Sequence, residues 1–425
     1  MDQPNAAPTH RRDWGAELRL YYALVALYFA TFGIQIVLFP SLAAFTLSAD
    51  PEFVGVAQMA ISAPMFVFLL FGGTLAGRIR AGPGLAVMQV LLAMPMLALA
   101  WVVATDRLSY PLLIAYGVVV GTIAAFMLPV RDAALNGVVE RDRGRGRTTS
   151  LARAAATTAA VQIGAQIIGI LIGRAAGAKP ATVLLIQAAL LLIGAVLAFG
   201  LRAPKPEYDR ARRFLSAFTD IKEGLVYAFK SPIMGPMIGS AAYVGVFVVG
   251  SFQVLFPLIV RDAYGGDAPA QAQRLSFLFA CFWGACFVSA AILSRLPPLR
   301  FPGRALVLSH LVGAGTLLSF AIHKPFWLFG VFVMLWGLAA GISISASRTL
   351  TQAAAEPRYL GRVLAAYSMG FMGGAPIGSA IVGLAAAEWG PRMAALVPGF
   401  GLALAITALV FLSPIWRLKP EERGV

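Results

Sequence analysis

Residues Gly33–Pro40 read GIQIVLFP, and Gly250–Pro257 read GSFQVLFP. Both fit G-x-x-x-V-L-F-P, and they start 217 residues apart in a chain of 425. Two more landmarks keep that offset: Arg78 with Arg295, and Arg131 with Arg348. An offset of half the chain length says that one unit is written twice. Val, Leu and Phe are common here, so the apolar letters alone are weak evidence. A Gly and a Pro at fixed places, with two arginines in register, make chance the weaker reading. Internal duplication in an apolar chain is a mark of transporters.

The rest of the composition agrees with a bilayer. The chain is 59% hydrophobic and 12% charged, whereas soluble domains are about half apolar and about a quarter charged. There is too little polar surface to cover a soluble globule. The apolar runs are roughly 20 residues long and lack the alternation of a membrane barrel, so helices are the expected spanning form. The net charge is +15. Its basic residues fall in short segments between apolar runs, which fits topology and anionic headgroups and argues against a nucleic-acid partner. Cys281 and Cys286 are five apart in one apolar run and read as buried side chains without a disulfide or metal site.

Twelve spans are expected: 20–47, 53–76, 83–104, 108–130, 149–174, 180–201, 233–260, 273–294, 304–322, 325–347, 359–386 and 393–415. The organisation is a tail 1–19, a six-helix half 20–201, a basic linker 202–232, a second half 233–415 and a tail 416–425. Arg11, Arg12, Asp13, Glu17 and Arg19 mark the first tail as polar rather than as a cleavable signal. Of 34 Lys and Arg, 27 lie on the side of the two tails and the linker and 7 on the other. That bias predicts cytoplasmic termini. In the linker, Phe214, Leu215, Phe218, Ile221, Leu225 and Phe229 recur at a helical period. They predict an amphipathic helix on the membrane surface.

Two six-helix halves with a basic linker and both ends inside resemble the major facilitator superfamily. Residues 73–82, GTLAGRIRAG, fall where that family carries G-x-L-a-D-R-x-G-R-K. Gly73, Leu75, Ala76 and Arg78 match. Gly77 stands where the family has Asp, and Arg80 where it has its second Gly, so the acidic gate contact does not carry over. Phe126–Val139, FMLPVRDAALNGVV, is similar to the fourth-span P-x-R-x-A of the branch that includes enterobactin exporters and other secretion transporters, through Pro129, Arg131 and Ala133. The lysophospholipid-transporter branch is similar over the same stretch, and both stay open. The family's fifth-span G-P-x-x-G is incomplete, with Gln166 in the place of Pro. The resemblance implies secondary transport by alternating access.

The chemistry inside the spans is defined by an absence. No Asp, Glu, Lys or Arg lies near the middle of any predicted span, where a charge costs about 2.5–3.5 kcal/mol and is kept for function. The nearest acids, Asp132 beside Arg131 and Asp262 beside Arg261, lie at span ends. What remains are amides and hydroxyls: Gln35 in the opening motif, Gln253 in its echo, Gln162 and Gln166 four apart, Tyr243, Ser343 and Tyr367. A buried amide wants several hydrogen bonds, so these residues either join helices or line a wet cavity. Gly117 and Gly121, echoed by Gly337 and Gly341, predict close helix packing. His310 is the one intramembrane side chain whose ordinary titration lies near neutrality. Trp101, Trp327, Trp389 and Trp416 mark span ends.

No P-loop, H-E-x-x-H, nucleophile–base set or Cys/His metal spacing occurs, so no enzyme, cofactor or metal is expected. The fold class expected is an all-α integral membrane protein, twelve helices in two pseudo-symmetric halves. It would sit in the plasma (inner) membrane as a monomer or weak oligomer. Its first-choice role is export of a medium-sized neutral or amphipathic compound, siderophore-like or drug-like. A lipid-like substrate and a non-transporting receptor are the alternatives, and the proton is an open candidate as coupling ion. Arg78, Arg131, Asp132, Arg295 and Arg348, with Gly73, form the expected cytoplasmic gate.

Overall fold

A computed structural model describes residues 15–76, 79–144, 150–201, 226, 228–297, 299–354 and 360–417. The first half holds α1 (Ala16–Ser41), α2 (Pro51–Ala76), α3 (Ala81–Ala104), α4 (Tyr110–Gly144), α5 (Leu151–Gly173) and α6 (Pro180–Ala198). The second holds α7 (Met234–Tyr264), α8 (Ala268–Leu293), α9 (Pro302–Ser319), α10 (Phe326–Ala354), α11 (Leu360–Trp389) and α12 (Pro391–Leu412). Eleven of these helices are long and apolar enough to cross a membrane. The other, α9, is an 18-residue helix that carries Arg304 and His310. Most of the linker, where the amphipathic helix was expected, lies outside the described residues, as do residues 1–14 and 418–425.

Local chemistry sets the helix starts. Pro opens α2, α6 and α9, where its missing N–H has no helical partner to lose. Ser150 caps α5 by accepting from the Arg153 N–H, and Asp267 caps α8 by accepting from that of Ala270. The helix does not stop at Pro129 or at Gly137, and α4 runs through Arg131 and Asp132 to Gly144. The expected end of that span at 130 is thus a point inside a longer helix. Apolar side chains such as Val196, Leu404 and Phe411 remain exposed on the outside, as a lipid-facing surface requires.

Both halves pair their helices in the same way. In the first, α1 packs on α5, α2 on α4 and α3 on α6; in the second, α7 packs on α11, α8 on α10 and α9 on α12. The repeated glycine explains one pair. A Cβ on Gly33 would fall into the carbonyl of Gln166 on α5, and one on Gly250 into the carbonyl of Ala375 on α11. Gly121 and Gly337 likewise press against the carbonyls of Ile61 on α2 and Phe282 on α8. Small residues let these backbones touch. The halves meet through α2 with α11 and α5 with α8.

Pro40 and Pro257 both lie inside helices. A π turn follows each, Leu42–Thr46 in the first half and Val260–Tyr264 in the second. Proline removes a helical hydrogen bond, and the backbone beyond it widens. A third π turn, Gly245–Val249, interrupts α7 alone. Glycines of α11 embrace it: a Cβ on Gly378 would meet the Val246 carbonyl, and one on Gly374 the Val246 nitrogen.

Candidate functional site

The extra π turn forms one wall of a cavity of about 70 Å³ inside the second half. Val244, Val248 and Val249 come from α7, Trp283 from α8, His310 and Gly313 from α9, and Trp336 and Ser343 from α10. Rings dominate the surroundings. Phe252 stacks on Phe282 at 5.3 Å between centroids, and Trp336 meets both rings edge-on.

Two of the residues expected to line a cavity converge here. Tyr243 Oη lies 3.3 Å from His310 Nδ1, and Ser343 Oγ lies 2.9 Å from His310 Nε2. Ser240 Oγ donates to Tyr243 Oη at 3.3 Å. A chain of hydrogen bonds therefore crosses α7, α9 and α10, with the imidazole, itself only 5% exposed, at its centre. Both ring nitrogens are engaged, so the surrounding hydroxyls hold the ring in place.

The amides are placed elsewhere. Gln35 is buried and turned into its own half, where its Oε1 accepts from Tyr116 Oη at 2.8 Å and from Gln187 Nε2 at 3.1 Å. Gln166 is buried beside Gly33, and its Nε2 has no partner. Gln162 and Gln253 are half-buried on α5 and α7. Tyr367 packs on a small cluster with Met234, Ile238, Val363 and Ala366, apart from the cavity lining.

Arg131, Asp132 and Arg295, three of the expected gate residues, lie on the terminus side. Arg131 pairs with Asp132 of its own half, Nη2 to Oδ1 at 2.7 Å, and its guanidinium lies 5.0 Å from the Phe29 ring centre. Arg295 is exposed in the turn after α8. Gly73 and Arg348 fall within α2 and α10; Arg78 lies outside the described residues.

The opposite, loop side joins the halves. Arg261 Nη1 donates to the Ala49 carbonyl at 2.7 Å, and the Ala44 carbonyl lies 3.5 Å away. Ala44 is the position that repeats as Arg261. Nearby, Ser276 Oγ donates to the Ile170 carbonyl at 2.7 Å. Gly177 packs on the Ala268 carbonyl, and Gly55 on Ser379 and Gly383. These contacts hold the two halves together at the loop end.

Sequence reading missed three participants. Arg261 was paired only with its neighbour Asp262; the 217-residue offset to Ala44 was the available clue. Trp283 and Trp336 line the cavity in mid-span, and their departure from the end-of-span pattern was the signal.

Comparison with known proteins follows the same architecture. A family model described as Major Facilitator Superfamily matches residues 21–367. No curated protein matches the sequence. Among solved structures, the nucleoside transporter NupG is similar at a TM-score of 0.72 and 13% identity, covering 94% of this chain and 99% of that one. The D-xylose-proton symporter is similar at 0.70 and 11%, covering 94% and 98%. A bacterial homolog to the human lysosomal transporter Spinster, in an inward-facing and unoccupied conformation, is similar at 0.67 and 15%, covering 95% and 97%.

Proposed function

The chain belongs to the Major Facilitator Superfamily, and from that premise we propose that it exports a medium-sized neutral or amphipathic organic compound, siderophore-like or drug-like in class. It is a multi-pass secondary transporter, whose halves rock about a site between them. The observation that carries the substrate class is the make-up of the second-half cavity. Its polar groups are an imidazole, hydroxyls and indoles, with no carboxylate, ammonium or guanidinium in the lining. A charged substrate held there would lack a counter-charge in a low-dielectric setting, which is strongly unfavourable. The direction rests on the resemblance of Phe126–Val139 to secretion transporters.

The excess of Lys and Arg on the terminus side supports cytoplasmic termini in a plasma (inner) membrane. The loop end, where the halves are joined, is then the outer one. In the outward-facing state, Arg78, Arg131, Arg295 and Arg348, with Asp132 and Gly73 nearby, close the cytoplasmic side through hydrogen bonds to helix ends. Normal transport by Arg78→Ala and Arg131→Ala at wild-type abundance would remove that assignment.

The test of the whole reading is flux in proteoliposomes loaded with a panel of neutral, zwitterionic and permanently charged compounds, with and without an imposed pH gradient. Saturable flux of neutral members is expected. Flux confined to permanently charged compounds, or none at all, overturns it. Flux that follows the gradient and loses that dependence in His310→Gln assigns the coupling proton to His310.

A further inference from the structure

We propose that the cavity of the second half is a subsite for the carbonyl-bearing end of the substrate, recognised by indole N–H groups. This rests on the transport reading above and names the chemistry of the group that enters the site.

The argument is one of unmatched donors. Each hydroxyl and ring nitrogen of the lining already has a partner. His310 is bonded at both nitrogens, Ser343 bonds His310, and Ser309 Oγ donates to the Leu306 carbonyl at 2.7 Å. Two indole N–H groups remain. Trp283 Nε1 is buried and has no partner. Trp336 is 2% exposed and points its Nε1 toward Gly313 of α9. That nitrogen lies 3.0 Å from where a Cβ on Gly313 would sit, so the missing Cβ leaves room in front of it. An indole N–H only donates, and a buried donor without an acceptor is unfavourable. A ligand that brings an acceptor relieves that penalty; one that brings a donor does not.

Size and charge narrow the group. A volume of about 70 Å³ is under half of a cavity of about 150 Å³ that takes up benzene. It admits an end group and not a whole drug-sized molecule. With no cation in the lining, a carboxylate has no counter-charge there. A ketone, ester or amide carbonyl remains, flanked by a small apolar group against Phe252, Phe282 and Val248. Trp283 and Phe371, both half-buried, border the cavity. They stand on α8 and α11, the helices of this half that pack on α5 and α2 of the other.

The experiment compares acetophenone with α-methylstyrene, which has the same shape with C=CH2 in place of C=O. Each is titrated against the full chain in nanodiscs and followed by saturation-transfer NMR. In the wild type, acetophenone binds saturably and about tenfold more tightly than α-methylstyrene, the difference set by one buried hydrogen bond. Trp283→Phe or Trp336→Phe, which keep an aromatic wall and delete a donor, bring the two probes together. Gly313→Ala, which fills the space before Trp336, does the same if a Trp variant fails to fold. Equal binding of the two probes to wild type, or a preference kept in all three variants, overturns the proposal. Neutral-compound flux is measured in parallel. Flux without a carbonyl preference defeats this inference alone, and a preference without flux defeats the transport reading alone.

Discussion

Removing the Arg261 side chain should open the loop end of the molecule. The guanidinium reaches from the π turn Val260–Tyr264 to the Ala49 carbonyl of the other half at 2.7 Å. The 3.5 Å approach to Ala44 is at the limit of a hydrogen bond and adds little. One bond from a charged donor is worth about 1.5–3 kcal/mol. At about 1.4 kcal/mol per factor of ten, Arg261→Ala shifts the sealed-to-open equilibrium by about 10- to 150-fold. Carrying a population from 99:1 to 1:99 takes about 5.5 kcal/mol, so about half of that brings 99:1 to parity. The assay is pulsed electron–electron distance measurement between spin labels at Lys179→Cys and His323→Cys. Both sites are exposed on the loop side, in opposite halves. The background replaces Cys281 and Cys286, both free, with Ala. A second, longer distance should appear in Arg261→Ala and be weaker in Arg261→Lys, which keeps the charge but not the planar fork. Superimposable distance distributions for wild type and Arg261→Ala would refute the reasoning, because the bond would then carry no bias between states.

Three other outcomes follow from the packing. Gly33→Ala and Gly250→Ala should each lower unfolding stability by about 1–3 kcal/mol, since the new methyl meets a backbone carbonyl that cannot yield; Gly164→Ala and Gly284→Ala, which meet nothing within 4 Å, are the controls. Equal melting of all four would remove the glycine contacts as the reason for the repeat. Gln35→Leu should destabilise by about 1–3 kcal/mol by stranding the Tyr116 hydroxyl, and adding Tyr116→Phe should recover part of that loss; strictly additive losses in mixed-micelle unfolding would contradict the shared bond. Lys324, outside the spans, is buried and bonded to the carbonyls of Ser319 and Ile322. Burial, and then Arg392, hold its ammonium below the usual 10.5. In the window between that lowered value and 10.5 the folded chain binds fewer protons than the unfolded one, so stability rises with pH there. Lys324→Met should flatten the rise, and melts with the same pH slope in both proteins would exclude the effect.

The lining of the cavity shows where sequence reading reached and where it stopped. Tyr243 and Ser343 were legible as polar side chains in apolar spans; Ser343 lines the cavity, and Tyr243 lies behind it against His310. Gln35 was equally legible, yet its amide serves Tyr116 and Gln187 inside one half. Composition told that each needed partners, not which partners. His310 read as a lone histidine because its hydrogen-bond partners are 67 and 33 residues away. The indole of Trp283 carried no sign of being unmatched, since a missing hydrogen bond is a property of the surroundings.

What the sequence determined by itself was one-dimensional: apolar run length, the 217-residue offset and the sidedness of Lys and Arg. These suffice for the count of spans, the two halves and the bilayer, because span length and hydrophobicity are summed along the chain. The tertiary structure alone decided that Gly33 is a contact point for Gln166, that Arg261 bridges to the repeat partner of its own position, and that one half encloses a ring-lined cavity. Each depends on distances across helices, where a shift of one residue turns a side chain by about 100° around the helix axis.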